Sequence, residues 1–185
     1  MQRRSVLTAL LAVPLAIAAG AARAQKKGHA MVEELQSNWK QYLAAGTPTP
    51  SPTDALKLTE AEWKQRLPPA AFRVLRKEDT ERAGSSPLDH EKREGIFACA
   101  GCELPLYTSA MKFDSGTGWP SFFTTIPGVF VTKTDYFLIY PRTEYHCMRC
   151  GGHHGHLFKD GPEPTGLRYC NNGVALKFIP KEGKA

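Results

Sequence analysis

Two Cys-x-x-Cys pairs constrain the fold of this chain more than any other feature of its sequence. They are Cys99-Ala-Gly-Cys102 and Cys147-Met-Arg-Cys150, and they account for four of the five cysteines in the 185 residues. A thiolate pair at this spacing can hold one metal ion from a tight turn, and two pairs complete the tetrahedral shell of a structural Zn²⁺ ion. The sequence therefore predicts one structural zinc ion per chain, bound by these four cysteines.

Two other interpretations of the cysteine pairs stay open at this point. In an exported protein the four cysteines could form two disulfides. A Cys-x-x-Cys pair is also the motif of dithiol redox proteins, although no βαβ pattern lies near either pair. Two widely separated copies in one chain favour the metal site.

The N-terminus has the pattern of an export signal. Arg3-Arg4 precedes an uncharged, largely apolar run over residues 5–22, and Ala22-Arg23-Ala24 supplies the small residues of a cleavage site. Residues 1–24 are therefore predicted to be a cleaved signal peptide, and the adjacent arginines favour the twin-arginine route. An uncleaved membrane anchor is the alternative, but the run is rich in alanine and barely reaches the roughly 20 residues of a spanning helix.

A twin-arginine signal predicts a periplasmic protein and reconciles export with a zinc site. The periplasm oxidises paired cysteines to disulfides. The twin-arginine route exports proteins that have already folded, so the cysteines would bind zinc in the reducing cytoplasm first. Signal type and cysteine pattern thus support each other.

The charge of the chain argues against nucleic-acid binding. The formal net charge is +6, but three of the arginines lie in the predicted signal peptide. The other basic residues are interspersed with carboxylates and form no basic stripe.

The rest of the chain divides into an extension and one domain. Apolar residues recur at helical spacing over residues 30–44, which predicts a helix, and the proline-rich residues 46–53 predict a semi-rigid linker. Residues 25–56 are thus predicted to be an extension of unknown purpose. In residues 57–180 a capping box at Thr59 predicts a first helix, and short aromatic and β-branched runs follow from Gly95 onward. This order indicates a small, mainly β (α+β) domain with antiparallel strands.

Cys170, the fifth cysteine, is a candidate nucleophile. If residues 168–172 are extended, Arg168, Cys170 and Asn172 project from one face. An adjacent guanidinium group lowers the pKa of a thiol, and an amide can hold a bound oxygen. The alternatives are that Cys170 is a small buried apolar residue and that Arg168 makes an ordinary surface ion pair.

Histidines and one tryptophan add to this candidate site. His153 and His156 are candidate proton donors because imidazole titrates near neutral pH, whereas His154 between them is expected to be exposed. Trp119 lies on a glycine-containing loop, where its aromatic face could hold a methyl group on a polarised sulfur, or could simply pack beneath the sheet. A thiolate, proton donors and a methyl pocket suit attack on a sulfoxide, of which methionine sulfoxide is the biological form.

These motifs resemble those of the B-type methionine-(R)-sulfoxide reductases in their zinc-containing form. The resemblance runs from about Leu58 to Phe178 and includes both cysteine pairs. It also includes two long motifs, over residues 112–122 and 155–172. It implies a mainly β (α+β) fold of two antiparallel sheets with peripheral N-terminal helices, in which residues 57–180 form the catalytic domain.

The resemblance also implies a chemical role for each residue of the site. The first step would yield methionine and a sulfenic acid on the nucleophile. By implied role, the residues are the nucleophile Cys170; His153, His156 and Asn172, which bind or protonate the sulfoxide oxygen; Trp119, which packs on the substrate methyl group; and Arg168 and Asp160, which support the site.

One departure from the family pattern concerns recycling of the enzyme. Many relatives have a resolving cysteine where this chain has Thr117, and no other cysteine is spare. The sulfenic acid is therefore expected to wait for an external reductant, either a thioredoxin-like protein or a small thiol. The expected substrates are oxidised proteins that carry methionine-(R)-sulfoxide, and the protein is expected to be a monomer without stable membrane association.

Two other classes of function stay open on the sequence. A zinc-stabilised binding module would not need Cys170. A dithiol-disulfide oxidoreductase would use one of the Cys-x-x-Cys pairs instead.

Overall fold

The computed structural model describes residues 12–136 and 141–181. Three helices precede nine strands in this part of the chain. Arg3-Arg4, on which the twin-arginine prediction depends, lies outside the described residues. The signal peptide, its cleavage before Gln25 and the periplasmic location stay predictions.

The first helix is longer than predicted and ends earlier. Helix α1 spans Ala12–Ser37, and a separate 3₁₀ turn follows at Trp39–Tyr42. The alanine-rich residues before position 25 are strong helix formers, which accounts for the early start. The prediction of one helix over residues 30–44 was wrong at its end, because Ser37 and Asn38 favour turns over helix interior.

The extension packs on the domain that follows it. Side chains of its C-terminal half, Leu35, Trp39, Tyr42 and Leu43, lie against the buried core. The Gln36 side chain donates hydrogen bonds to Thr124 Oγ1 (2.9 Å) and to the Thr125 carbonyl (3.2 Å). No helix in the described ranges combines the length and the apolar character needed to cross a membrane.

Two short helices open the domain, and the first begins at the predicted capping box. Helix α2 spans Glu60–Arg66, and Thr59 and Glu62 form the predicted capping box at its start. Helix α3 spans Pro69–Lys77, begins directly after Pro68 and buries Phe72, Val74 and Leu75.

The strands form two antiparallel sheets, as expected. The first sheet has the order β2-β1-β9 and the second the order β3-β4-β8-β7-β6-β5. Consecutive neighbours are antiparallel throughout both sheets. The strands are β1 (Gly95–Cys99), β2 (Pro105–Thr108), β3 (Lys112–Phe113), β4 (Ser121–Phe122), β5 (Phe130–Asp135), β6 (Arg142–Cys147), β7 (His153–Phe158), β8 (Arg168–Asn171) and β9 (Leu176–Pro180).

Aromatic side chains from both sheets form the core. Phe97 on β1, Tyr107 on β2 and Phe122 on β4 are fully buried. The rings of Tyr107 and Phe122 stack with centroids 3.8 Å apart, and Phe97 meets Phe122 edge-on at 5.1 Å. Each buried aromatic ring contributes about 2–3 kcal/mol, so this contact fixes the two sheets against each other and sets the position of β4 and its neighbour β8.

Candidate active site and metal centre

The four paired cysteines meet in one buried cluster. Cys99 and Cys147 end β1 and β6, and their partners Cys102 and Cys150 lie in the turns that follow. The Sγ atoms of Cys102 and Cys147 are 3.5 Å apart, those of Cys99 and Cys150 are 3.7 Å apart, and all four lie within 4.8 Å of one another. A tetrahedral zinc ion with 2.3 Å bonds separates its sulfur ligands by about 3.8 Å, so the cluster fits a metal ion.

The two cysteine turns are built in the same way. The amide of Glu103 donates to the Cys99 carbonyl and that of Gly151 to the Cys147 carbonyl, each at 2.8 Å. Both donors have a positive φ, 61° at Glu103 and 67° at Gly151. Contacts with the neighbouring thiols, together with burial, raise the pKa of Cys99 well above its usual value. The pKa of Cys147 is also raised, whereas those of Cys102 and Cys150 are lowered, because the four thiols interact closely with one another. Four thiolates at this spacing repel one another, so all four ionise together only around a cation.

Cys170 lines a small cavity beside the β6–β7 hairpin. It sits on β8 directly opposite His156 of β7 and Ser121 of β4. The cavity has a volume of about 130 Å³ and is lined by Cys170, His156, Asn172, Trp119, Phe158, Gly155, Thr80 and Arg142. Cross-strand pairing thus brings a thiol, an imidazole and an indole, distant in sequence, to one opening.

Glycine is required at position 155 to bring β7 this close to β8. A Cβ atom there would lie 2.0 Å from the Cys170 carbonyl oxygen. This separation is far below any contact that a side chain tolerates, so the Gly155-His156 sequence is part of what places His156 across from the thiol.

The Cys170 thiol is held mostly neutral. Burial raises the pKa of Cys170 above its usual value, while Arg168 and a hydrogen bond from Thr117 lower it less strongly. The prediction that Arg168 would increase the thiolate fraction is therefore correct in the sign of its effect but outweighed by burial. Arg168 also makes a paired hydrogen bond to Asp160, both at 2.8 Å, and stacks on Phe158 with 4.3 Å to the ring centroid.

Asn172 lines the same cavity and is fixed by its neighbours. Its Oδ1 accepts from the Glu81 amide at 2.9 Å, and its Nδ2 donates to the His154 carbonyl at 3.0 Å. One amide hydrogen of Nδ2 is left after this bond. Asn172 follows the end of β8, so its place in the cavity depends on these bonds as well as on strand alternation.

The three histidines of β7 have different environments. His156 faces the cavity, and its Nε2 lies 2.9 Å from Asp135 Oδ2. His153 is 1% exposed and packs behind His156 with ring centroids 5.5 Å apart, so it does not line the cavity. His154 is fully buried and stacks on Tyr145, which makes the expectation of an exposed His154 wrong. Both faces of β7 are covered here, so alternation along the strand exposes neither residue.

Burial keeps these imidazoles uncharged. It lowers the pKa of His153 to about 4 and that of His154 to about 3. Burial also lowers the pKa of His156, although the hydrogen bond to Asp135 raises it in part. His156 is thus neutral near pH 7, with a carboxylate that orients its ring.

Trp119 forms one wall of the cavity and is held by a segment that the sequence analysis missed. Its Nε1 donates to the Glu81 carbonyl at 3.1 Å, and the Glu81 carboxylate accepts from the amides of Gly173 and Val174. Glu81 therefore fixes Trp119 and Asn172 together. It lies in a polar loop with no motif, so no signal in the sequence pointed to it.

Asp135 and Arg142 are two further residues of the site that the sequence analysis missed. They face each other across β5 and β6 and form an ion pair beside His156. Their contact follows from strand register, which a single sequence does not fix.

A chain of hydroxyl groups leads away from Cys170. Thr117 stands beside the thiol and lowers its pKa, Ser115 Oγ lies 2.8 Å from both Thr117 Oγ1 and Ser121 Oγ, and Ser121 donates to the Trp119 carbonyl at 3.0 Å. Each hydroxyl has one proton, so with a neutral thiol all donate toward the Trp119 carbonyl. With a thiolate the chain reverses, and Thr117 donates to the sulfur.

Comparisons with known proteins identify the family. Residues 67–180 match the family described as SelR domain. The chain is 44% identical to "Peptide methionine sulfoxide reductase MsrB" of Agrobacterium fabrum over 123 residues, which cover 66% of this chain and 91% of the relative. It is 47% identical over 134 residues to the protein of the same name from Methanosarcina barkeri, covering 70% and 93%. A third relative with this name, from Pseudomonas savastanoi, is 46% identical over 132 residues, covering 70% and 99%. The chain belongs to the SelR-domain family, and the expected resemblance is confirmed.

Proposed function

We propose that this protein is a peptide-methionine (R)-S-oxide reductase with Cys170 as its nucleophile. One observation carries the proposal: a single cavity holds the Cys170 thiol, an apolar wall of Trp119 and Phe158, and polar groups of His156 and Asn172. The family relationship supports it, because the relatives named above are methionine sulfoxide reductases.

The site suits a sulfoxide side chain in one orientation. The methyl group packs on the Trp119 ring, and the oxygen lies toward His156 and the free amide hydrogen of Asn172. The rest of the bound peptide then extends out through the open side of the cavity. Three different substituents held in three directions define one configuration at sulfur, which is the physical basis for selecting the R epimer.

The proton needed by the reaction is already present on Cys170. The thiol passes its proton to neutral His156, the thiolate attacks the substrate sulfur, and His156 returns the proton to the oxygen. The sulfur–oxygen bond breaks, the oxygen ends on Cys170 as a sulfenic acid, and methionine leaves. The substrate sulfur is reduced by two electrons and the cysteine sulfur is oxidised by two.

An external reductant completes the cycle in this proposal. One thiol condenses with the sulfenic acid and releases water, and a second thiol reduces the mixed disulfide. A thioredoxin-like protein or a small thiol can supply both.

Thr117 stands beside Cys170 where a resolving cysteine would be, so Thr117→Cys should form a disulfide with Cys170 after one turnover. Dimedone should trap a sulfenic acid in the wild-type protein. An internal disulfide in the wild type would contradict this route.

The metal of the cysteine cluster is proposed to be one structural Zn²⁺ ion. Four sulfur ligands and tetrahedral spacing favour zinc, and no cysteine of the cluster lines the cavity. Elemental analysis should find one zinc per chain bound to this cluster, whereas two disulfides by mass spectrometry would contradict it.

We also propose that the chain is exported to the periplasm by the twin-arginine route and acts there as a monomer on oxidised proteins. The basis is the N-terminal sequence. Replacement of Arg3 and Arg4 by lysine should leave precursor in the cytoplasm, and normal export of that variant would exclude the route.

A direct assay tests the proposed activity. The wild-type protein should reduce the R epimer of a peptide methionine sulfoxide with dithiothreitol, and should leave the S epimer unchanged. Cys170→Ser should lower the rate of reduction by several orders of magnitude, while the fold and the metal content stay unchanged. Turnover by Cys170→Ser would contradict the role of the thiol and would favour a binding module or a dithiol oxidoreductase.

A further inference from the structure

A second cluster of metal-binding side chains lies on the β6–β7 hairpin, apart from the four cysteines. Glu144 and His146 are two positions apart on β6, so they project from one face. His153 on β7 pairs directly with His146 across the hairpin. We call these three residues the Glu144 cluster.

The spacing of the cluster is that of ligands around one ion. Glu144 Oε1 is 3.3 Å from His146 Nε2, and Glu144 Oε2 is 3.1 Å from His153 Nδ1. One ligand atom from each residue can be chosen so that all lie within 4.8 Å. A tetrahedral zinc ion with bonds of 2.0–2.1 Å separates its nitrogen and oxygen ligands by about 3.3 Å.

Hydrogen bonding does not account for these short distances. Both nitrogens of His153 and Nε2 of His146 are buried, and none has a hydrogen-bond partner among the described residues. The ring nitrogens lie close to the Glu144 carboxylate without pointing along a hydrogen bond to it. Ligands of a metal ion are arranged in this way, because each points to a shared centre and not to its neighbour.

The charges around the cluster leave room for a cation. Glu144 is 3% exposed and pairs with Lys133 Nζ at 2.7 Å, and the same ammonium group lies 2.7 Å from Glu78 Oε1. Lys133 is half exposed, so it can stay with Glu78 when a divalent ion takes Glu144. Glu144 also lines a cavity of about 640 Å³, which gives an ion a route from solvent to the carboxylate. The charged side chains around it are four carboxylates and three basic groups: Glu78, Asp79, Asp135, Glu144, Arg73, Lys77 and Arg142.

We propose that Glu144, His146 and His153 form a second site, for a divalent transition-metal ion of the zinc class. Two imidazoles and one carboxylate are a ligand set that binds zinc. The site is distinct from the cysteine cluster in its residues and in its hard, nitrogen- and oxygen-based ligands.

Occupation of the site lowers turnover, a consequence that rests on the proposed function. His153 packs against His156 at 5.5 Å. A metal bond to His153 fixes the ring that packs against His156 and so restricts the movement of His156 between the thiol and the substrate oxygen.

Metal binding is tested on the full chain with its resident metal in place. Cys170→Ser serves as the parent, because it removes the one thiol outside the cysteine cluster, and Zn²⁺ is titrated by calorimetry in thiol-free buffer. The parent should bind one further Zn²⁺ per chain. His146→Gln in this parent should weaken that binding by more than the roughly 10- to 100-fold seen for changes in a metal ligand's supporting partners. His90→Gln, a change at an exposed histidine outside the cluster, should bind as the parent does.

Two results would overturn the site: no further Zn²⁺ bound by the parent, or equal affinity in the parent and in His146→Gln. The effect on turnover is measured separately, with Cys170 intact and a phosphine as reductant. Zn²⁺ should inhibit the wild type, while His146→Gln should keep its basal rate and resist inhibition. Equal inhibition of both would overturn the inhibitory role. Absence of any reductase activity alongside intact binding would contradict the proposed function and leave the metal site standing.

Discussion

Thr117 connects the proposed nucleophile, Cys170, to the loop that carries Ser115. Its hydroxyl group lies beside Cys170 and begins a series of hydroxyl contacts that runs through Ser115 to Ser121. Ser121 pairs with Cys170 on the neighbouring strand. The direction of these hydrogen bonds depends on the charge of the thiol, so the loop stabilises the thiolate without carrying a charge of its own.

Thr117→Val should therefore raise the pKa of Cys170 further. The substitution keeps the shape of the side chain but removes the donor to the thiolate, and a lost hydrogen bond to a charged group corresponds to roughly 1 pH unit. A higher pKa leaves less thiolate at a given pH, so the pH profile of Cys170 alkylation by iodoacetamide should shift upward. Thr117→Ser, which keeps the hydroxyl group, should give the wild-type profile. An unshifted profile in Thr117→Val would show that the contact does not stabilise the thiolate.

At the residue scale, the sequence indicated which side chains form the candidate site better than it indicated how each of them is buried and paired. The candidate cysteine and histidines were recognisable by residue type, and the structure brings Cys170, His156, Asn172 and Trp119 to one cavity. The positions of His153 and His154 were not predictable, because both depend on what covers each face of β7. Asp135, Arg142 and Glu81 were missed because only strand register and loop course bring them to the site.

At the scale of elements, the β6–β7 hairpin joins the cysteine cluster to the candidate active site. Strand β6 begins at Arg142, which lines the cavity, and ends at Cys147 in the cysteine cluster. The turn that contains Cys150 then leads into β7, which carries His156. A loss of structure around Cys147 and Cys150 would therefore displace both paired strands and the cavity residues that they carry.

Loss of the metal should destabilise the whole domain and reduce activity indirectly. Cys147→Ser removes one ligand, and because metal binding and folding are one equilibrium, the free energy of unfolding should fall by several kcal/mol. Thermal unfolding followed by circular dichroism measures the change. Thr143→Ser, an exposed change on the same strand, is the matched control and should unfold as the wild type does. A metal-free Cys147→Ser protein with unchanged melting temperature would contradict a structural role for the ion.

The elements themselves were largely predictable, and their limits were less so. The capping box of Thr59 and Glu62 and the break at Pro68 are local signals, and both are present. The end of α1 at Ser37 was missed because the apolar spacing continues through Trp39 and Tyr42, which pack on the core from a 3₁₀ turn instead. The spacing of apolar residues indicates which side chains are buried, and here it did not distinguish an α-helix from a 3₁₀ turn.

At the scale of the whole molecule, the extension before the domain is part of the packed structure. Its apolar side chains lie on the core, and Gly28 of α1 lies against Pro164 of the loop between β7 and β8. A Cβ atom at Gly28 would be 2.5 Å from that proline. The same loop carries Asp160, the hydrogen-bond partner of Arg168. The extension therefore packs on the loop that holds Arg168 in place beside the candidate active site.

Removal of the extension should lower stability without removing the catalytic residues. A chain that starts at Ala55 keeps the hydrogen bond of the Leu56 amide to the Arg149 carbonyl but loses Leu35, Trp39 and Tyr42. Partial burial of these side chains is worth roughly 3–5 kcal/mol, which should appear as a lower denaturation midpoint in urea. A chain that starts at Gln25 keeps these contacts and should match the full-length midpoint. Equal midpoints for both truncated chains would show that the extension contributes nothing to stability.

Lys133 has one more consequence, which concerns solubility. In the described part of the chain β5 is one of the two outer strands of the six-stranded sheet, and outer strands offer backbone groups to which another chain can pair. Val131 is 44% exposed on this strand, and the charge of Lys133 stands two residues further along it. A lysine in the middle of an outer strand opposes edge-to-edge association, because pairing would bury its ammonium group. The side chain that balances Glu78 and Glu144 thus also protects the β5 edge of the sheet from aggregation.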